Sequence, residues 1–236
     1  VAGGPPGDPV TAAVTHEPAD RRPVRATAPV RQRSRDALHQ LAGRSINFPL
    51  EAADQFTPDN GWTVDDLCRT LVPEPPGPPI DGGSFQTACE LLDCYEMADP
   101  AQVRAVYYRD VPVADRNMIL EGRFLFLRFT MPVRVGAVRD QTLAVHDRPV
   151  QVYGWNYRTL EGHLERGQMD WEVWKWLDTG HVEFRIHAFT SKGDIDNPVV
   201  RLGFALFGRW TQQRFYRKVR ERMDALVAGR LGAPPA

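Results

Sequence analysis

Lysine is nearly absent from this chain of 236 residues: Lys175, Lys192 and Lys218 stand against 26 arginines. Both side chains carry the same charge, so physics does not demand the bias; it fits a GC-rich coding genome of the actinomycete kind. Charge of one sign is also lacking. Lys and Arg (29) almost cancel Asp and Glu (30), which excludes a polyanion binder defined by net charge. No apolar run approaches the ~18 residues that a membrane span needs. The first residues, VAGGPP, lack a basic stretch followed by an apolar one, so no secretory signal is expected, and the predicted location is the cytoplasm. Cysteine is scarce: Cys68, Cys89 and Cys94 form no CxxC pair, and an odd count argues against a disulfide framework. No GxSxG, GxxxxGK[ST], GxGxxG after a strand or HExxH occurs, which removes the common motif-bearing hydrolases, nucleotide binders and zinc proteases.

What is present is ordinary globular material, 42% apolar and 25% charged, in a chain long enough to bury a core without a metal or disulfide staple. Residues 1–30 hold six Pro and three Gly and few large apolar side chains, so 1–35 is expected to be a disordered Pro/Arg-rich arm. Its end is basic, with Arg21, Arg22, Arg25, Arg31, Arg33 and Arg35. The remainder, 36–230, reads as a single domain, followed by a disordered tail at 231–236.

Within it, 36–42 predicts a short helix stopped by Gly43. Thr63-Val-Asp-Asp66 has the look of a helix start, with Val64, Leu67, Cys68 and Leu71 on one face, ended by Pro73. A Pro/Gly connection at 73–83 leads to a second helix capped by Ser84, with Phe85, Ala88, Leu91, Leu92 and Tyr95 inward. After residue 100 the period changes from 3.6 to 2. Strands are predicted at 102–109, 122–131, 133–139, 141–146, 149–158, 168–177 and 181–190, the last with Val182, Phe184, Ile186 and Ala188 on one face. The short separations permit antiparallel pairing and leave no room for crossover helices. Residues 197–228 predict a long helix with Arg209, Arg214, Arg217, Lys218 and Arg220 on a basic face, stopped by Gly229. The fold class is therefore α+β: a curved antiparallel sheet gripping a long C-terminal helix, with an internal cavity between them.

The stretch Gly154-Trp-Asn-Tyr-Arg-Thr-Leu-Glu-Gly-His163-Leu-Glu-Arg-Gly167 resembles the signature of the DUF1990 (UPF0548) family, G-F-x-Y-G-T-L-P-G-H-P-E-x-G-E-E followed by an aromatic. Gly154, Tyr157, Thr159, Leu160, Gly162, His163, Glu165 and Gly167 match; Trp155 replaces Phe, and Trp171 takes the later aromatic place. Gln168 and Met169 stand where the family has two acids, Arg158 replaces a Gly, and Leu164 a Pro. The strand HVEFRIHAFTSKGD, the helix GSFQTACELLD and an ending with Gln212, Gln213 and Tyr216 are similar to the family's as well. The resemblance implies a START-like helix-grip fold and no known reaction.

Several residues carry candidate chemistry. His163 lies in a turn among Glu161, Glu165 and Asp170, where a carboxylate could orient an imidazole for proton transfer; the alternative is a structural histidine closing the turn. The catalytic set is His163, Tyr157, Glu165 and Asp170. Tyr153, Trp155 and Tyr157 alternate on one strand face and would make a flat aromatic wall. Trp171, Trp174 and Trp176 break strict alternation, which suggests a bulge between 172 and 174. The run 122–129 reads as a central strand, with Phe124, Phe126 and Arg128 on one side, Arg128 meeting a ligand carboxylate or a buried acid such as Glu172. Trp171 and Trp210 complete the ligand-binding set. His181 and His187 are too far apart to share a metal, and neither metal nor cofactor is expected. Together these predict a protein that binds a hydrophobic small molecule and acts on it as a cofactor-independent cyclase, isomerase or dehydratase of a polyketide-like metabolite. A non-catalytic lipid or metabolite carrier is the alternative, and an interaction module using the basic arm the third. Nucleic-acid recognition is not expected, and the oligomeric state is open.

Overall fold

Among the described residues seven strands form one antiparallel sheet, in the order first, seventh, sixth, fifth, fourth, third, second, so that each neighbour is a sequence neighbour except where the first strand pairs with the last. The computed structural model describes residues 32–50, 55–124, 127–193 and 198–236, with backbone only at 32–36, 123–124, 127–128 and 198–207. The elements are α1 (Gln32–Leu41), β1 (Thr63–Thr70), α2 (Ser84–Asp93), β2 (Val103–Val106), β3 (Asn117–Phe124), β4 (Leu127–Val145), β5 (Arg148–Thr159), β6 (Glu165–Trp176), β7 (Val182–Lys192) and α3 (Pro198–Leu231). The inner face of β5, β6 and β7 packs against α2 and α3 through Trp155, Trp171, Phe184, Leu91, Leu92, Val219 and Met223, all buried in one cluster. A sheet whose apolar face is covered by a long C-terminal helix is the helix-grip arrangement.

β7 alternates as its sequence predicts: Val182, Phe184, Ile186 and Ala188 are buried. The expected helix from Thr63 is instead strand β1, paired antiparallel to β7 from Thr63↔Thr190 to Thr70↔Glu183. Its inner positions include Asp65 and Arg69, charges that meet partners on α3: Arg209 grips Asp65, and Arg69 pairs with Asp224. Two polar residues on the inward face hide a period of two. The expected central strand 122–131 is a hairpin, with Phe124 paired to Leu127, and the expected strands 133–139 and 141–146 lie within the single strand β4. β4 carries a register shift between Val135 and Ala137, where the Asn156 side-chain oxygen accepts the Ala137 N–H at 3.1 Å.

No bulge interrupts β6: it pairs in register with β5 and β7 across 172–174. The three tryptophans serve two faces instead. Trp171 lies in the core; Trp174 and Trp176 pack on the other side with Val150, Val152 and Leu143. There Arg185 covers the Trp174 ring at 3.9 Å and Arg148 the Trp176 ring at 4.4 Å. The Ser84 hydroxyl makes no hydrogen bond among the described residues; Gly83 is the N-cap of α2, and Glu74 accepts the Phe85 N–H at 2.7 Å. Glu74 also takes Lys175 Nζ in a fully buried ion pair that fastens the Pro/Gly connection to β6.

At the C-terminal end, α3 runs through Gly229 to Leu231, and Gly232 takes the left-handed turn at φ 64°. Residues 232–236 fold back: the Ala236 N–H donates to Asp224 at 3.0 Å and Arg69 donates to the Ala236 carbonyl at 2.6 Å. The expected arm at 1–35 lies outside the described residues up to Arg31, and α1 begins at Gln32. Among the described residues no helix is long and apolar enough to cross a membrane.

Candidate functional site

β5 sends Tyr153, Trp155 and Tyr157 inward because successive side chains of a strand alternate faces. β6 answers with Met169 and Trp171. Rings from other elements complete one cluster. The centroid of Tyr95, just past α2, lies 6.2 Å from both Trp155 and Trp171; Tyr157 is 6.2 Å from Trp171, and Phe215 of α3 is 6.4 Å from it. Tyr216 of α3 is buried beside Phe215. Tyr95 holds its place at φ 57°, a left-handed conformation costing a bulky residue roughly 1–2 kcal/mol.

This aromatic interior contains polar groups without partners among the described residues. The Tyr216 hydroxyl and the indole N–H groups of Trp155 and Trp171 are buried and make no hydrogen bond among the described residues, and the buried Tyr95 hydroxyl meets that of Tyr157. The Tyr157 hydroxyl donates to Met169 Sδ at 3.2 Å. Burial pushes all three phenols up, with further upward pushes at Tyr157 from Tyr95 and Tyr216 and at Tyr216 from Glu165 and Asp65. They therefore stay protonated at neutral pH and act as donors.

Glu165, half-buried at the start of β6, brings a carboxyl to this interior. Burial pushes its carboxyl up to about 7, with Arg209 opposing and Asp65 adding to the rise. Gln212 of α3 donates to Glu165 Oε1 at 3.4 Å and to Thr190 Oγ1 at 3.3 Å, and its own side-chain oxygen accepts from Arg209 at 2.8 Å. Arg209 in turn grips Asp65 with two bonds of 2.5 and 2.6 Å. Asp65 thus holds much of the Arg209 charge, and Glu165 is left with an amide as its nearest donor.

The signature segment builds the hairpin that aims Glu165. A Cβ at Gly154 would sit 2.3 Å from the Trp171 carbonyl oxygen, and one at Gly167, where φ is +149°, 2.0 Å from that of Phe189. Only glycine permits those strand approaches. Thr159 Oγ1 accepts the Gly167 N–H at 2.8 Å and donates to the Gly167 carbonyl at 3.1 Å or to Asn47 Oδ1 at 2.5 Å. His163 is buried, and its Nδ1 accepts the Glu165 N–H at 2.9 Å. Burial pushes the imidazole down to about 4, so the ring is neutral at pH 7.

Of the residues expected from sequence, Tyr157, Glu165, Tyr153, Trp155 and Trp171 lie on the inner side. Tyr153 donates to Asp93 at 2.5 Å. Asp170 does not join them: it is paired with Asn156 and His187 on the opposite strand face and accepts from Gln168 at 3.0 Å. Glu161 is exposed in the turn. Trp210 is 56% exposed, with Arg214 5.3 Å over its ring, and does not line the interior. Phe126 lies outside the described residues, as do the side chains of Phe124 and Arg128. Glu172, considered as a partner for Arg128, accepts from Arg139 at 2.8 Å and from Trp174 Nε1 at 2.7 Å. Sequence reading gave no site role to Tyr95, Tyr216, Asp65 or Arg209. For Asp65 the available signal was inward parity, masked by reading β1 as a helix. Among the described residues no three His, Cys, Asp or Glu side chains form a metal-binding group.

Solved structures with a similar chain trace include Ara h 8.0201 (12% identity, TM-score 0.41, covering 73% of this chain and 99% of that one). A Thalictrum norcoclaurine synthase point mutant in complex with a transition-state analogue gives 10% identity and a TM-score of 0.42, covering 71% and 95%. Human STARD10 gives 8% and 0.33, covering 84% and 80%. None of the curated proteins matches in sequence. The family model described as "Domain of unknown function (DUF1990)" matches residues 49–222, from before β1 to the last third of α3, and so takes in the whole sheet, the signature hairpin and Glu165. The chain belongs to the DUF1990 family.

Proposed function

We propose that the protein binds an oxygenated hydrophobic small molecule between the sheet and α3, and moves a proton on it without a cofactor. The observation that carries this reading is a set of three buried donors without a hydrogen-bond partner among the described residues, Tyr216 Oη, Trp155 Nε1 and Trp171 Nε1, in one aromatic cluster with the Tyr95–Tyr157 hydroxyl pair and beside Glu165. Buried donors are seldom left unpaired, because each costs about 1–3 kcal/mol. Ligand carbonyl or phenol oxygens would satisfy them, and the rings would cover a flat apolar skeleton.

A carboxyl poised near pH 7 can take a proton from carbon or oxygen and return it elsewhere on the same molecule. Phenols and indole N–H groups facing the ligand oxygen would stabilise the enolate that forms. In this reading Glu165 is the proton carrier, Tyr157 belongs to the donor set, and His163 positions Glu165 through its backbone. The reaction type is a cyclisation, isomerisation or dehydration, and the ligand a polycyclic or polyene molecule of the polyketide kind.

The test is native mass spectrometry of protein purified from its own host, as wild type and as Glu165→Gln. The proposal expects a bound organic molecule in both, with the variant retaining an unconverted precursor of different mass or isomeric form. Finding the same molecule, chemically unchanged, in both proteins supports the carrier reading instead. Protein that carries no organic molecule from the host overturns both.

A further inference from the structure

We propose that the outer face of α3 docks the protein onto an anionic lipid surface. Trp210, Gln213, Arg214 and Arg217 fall at i, i+3, i+4 and i+7, and all four are exposed, so they form one stripe on the side of the helix away from the sheet. Trp210 is the most exposed of the large apolar side chains among the described residues.

The other arginines on this half of the helix are engaged elsewhere: Arg209 with Asp65, Arg220 with the Cys68 carbonyl, Arg222 with the Glu96 carbonyl, and Arg230 with Glu90 and Glu96. Arg214 lies over the Trp210 ring, and Arg217 has only Glu221 at 4.0 Å, a separation worth little between exposed charges. The stripe is thus an indole flanked by two outward guanidinium groups. Tryptophan favours the headgroup level of a bilayer, where its ring is covered and its N–H stays wet, and Arg beside it meets anionic headgroups. In sequence the stripe follows 198–207, which holds one charged residue, Arg201, among Val199, Val200, Leu202, Phe204, Leu206 and Phe207.

A nucleic acid fits the same chemistry less well. Seven residues span about 10 Å of helix, and the stripe's two guanidinium groups would neutralise too few phosphates for a backbone site.

The proposal predicts sedimentation of the full chain with phosphatidylcholine vesicles containing 30% phosphatidylglycerol in physiological salt, and none with phosphatidylcholine alone. Each Arg near an anionic surface strengthens binding by about fivefold, so Arg214→Gln with Arg217→Gln should weaken it by about 25-fold, and Trp210→Ala should weaken it independently. The melting temperatures of these variants should match wild type, because the side chains are exposed. Equal binding to both vesicle types, binding that the α3 variants leave unchanged, or no vesicle binding overturns the proposal. Binding to a DNA duplex that the same variants abolish, without vesicle binding, reassigns the stripe to nucleic acid and also overturns it.

Discussion

The Glu165 amide donates to His163 Nδ1 at 2.9 Å, while the Glu165 carboxyl turns inward to Gln212. One residue is thereby held from behind by a neutral ring and faces the interior with a group that titrates near neutrality. The two groups respond to pH in opposite senses. A carboxyl raised from 4.5 to about 7 binds its proton more tightly when folded, so it lowers stability as pH rises across that window, fully so above 7. An imidazole lowered from 6.5 to about 4 binds its proton more weakly when folded, so it adds stability as pH rises from 4 to 6.5 and costs stability below that.

Glu165→Gln is therefore expected to gain stability relative to wild type as pH goes from 5 to 8. Urea midpoints of both proteins at the two pH values measure this. An equal difference at both values would mean that the carboxyl has no raised affinity for its proton.

His163→Asn is expected to lose about 1–2 kcal/mol through the lost acceptor for the Glu165 amide. Turnover per folded molecule should fall because Glu165 is misplaced, yet the pH dependence that remains should keep its midpoint near 7. If the variant is as stable as wild type and the pH dependence vanishes with the ring, His163 itself is the proton carrier.

Lys175 and Glu74 are both buried and bonded, so removing one partner leaves a charge unpaired. Lys175→Met should cost about 3–5 kcal/mol in urea unfolding. The double variant with Glu74→Gln should recover part of that, since glutamine keeps an acceptor for the Phe85 N–H. A loss below about 1 kcal/mol for Lys175→Met would contradict the tie between the Pro/Gly connection and β6.

Gly167→Ala should unfold the protein or cost several kcal/mol, because φ of +149° and a carbonyl oxygen 2.0 Å from the new Cβ leave it no room. Circular dichroism melts check this, and a variant with the wild-type melting temperature would refute the strand approach.

Much of this architecture is legible in the sequence where one rule governs a segment. β7 and the aromatic face of β5 follow simple alternation, and the signature hairpin carries its own glycines and histidine. Legibility fails where partners are remote. Asp65 and Arg69 face inward because Arg209 and Asp224 wait on α3, and without those partners the strand imitates a capped helix. Phe124 and Leu127 are antiparallel partners although no Gly, Pro, Asn or Asp stands between them in the sequence. Glu165 is recognisable as a candidate from its place beside His163, but the side chains that surround its carboxyl come from β1, β7 and α3. Trp210 has the helical spacing of a core residue yet sits on the outer stripe, since its neighbours Arg209 and Gln212 turn toward the sheet instead.

The central claim is that the interior of the grip holds a carboxyl that exchanges its proton near neutral pH. Carbon-13 NMR of the carboxyl resonances from pH 4 to 9, with Glu165→Gln to assign the signal, measures it directly. The account predicts one glutamate, absent from the variant, with a midpoint near 7. A Glu165 midpoint near 4.5, with the other glutamates, would contradict it.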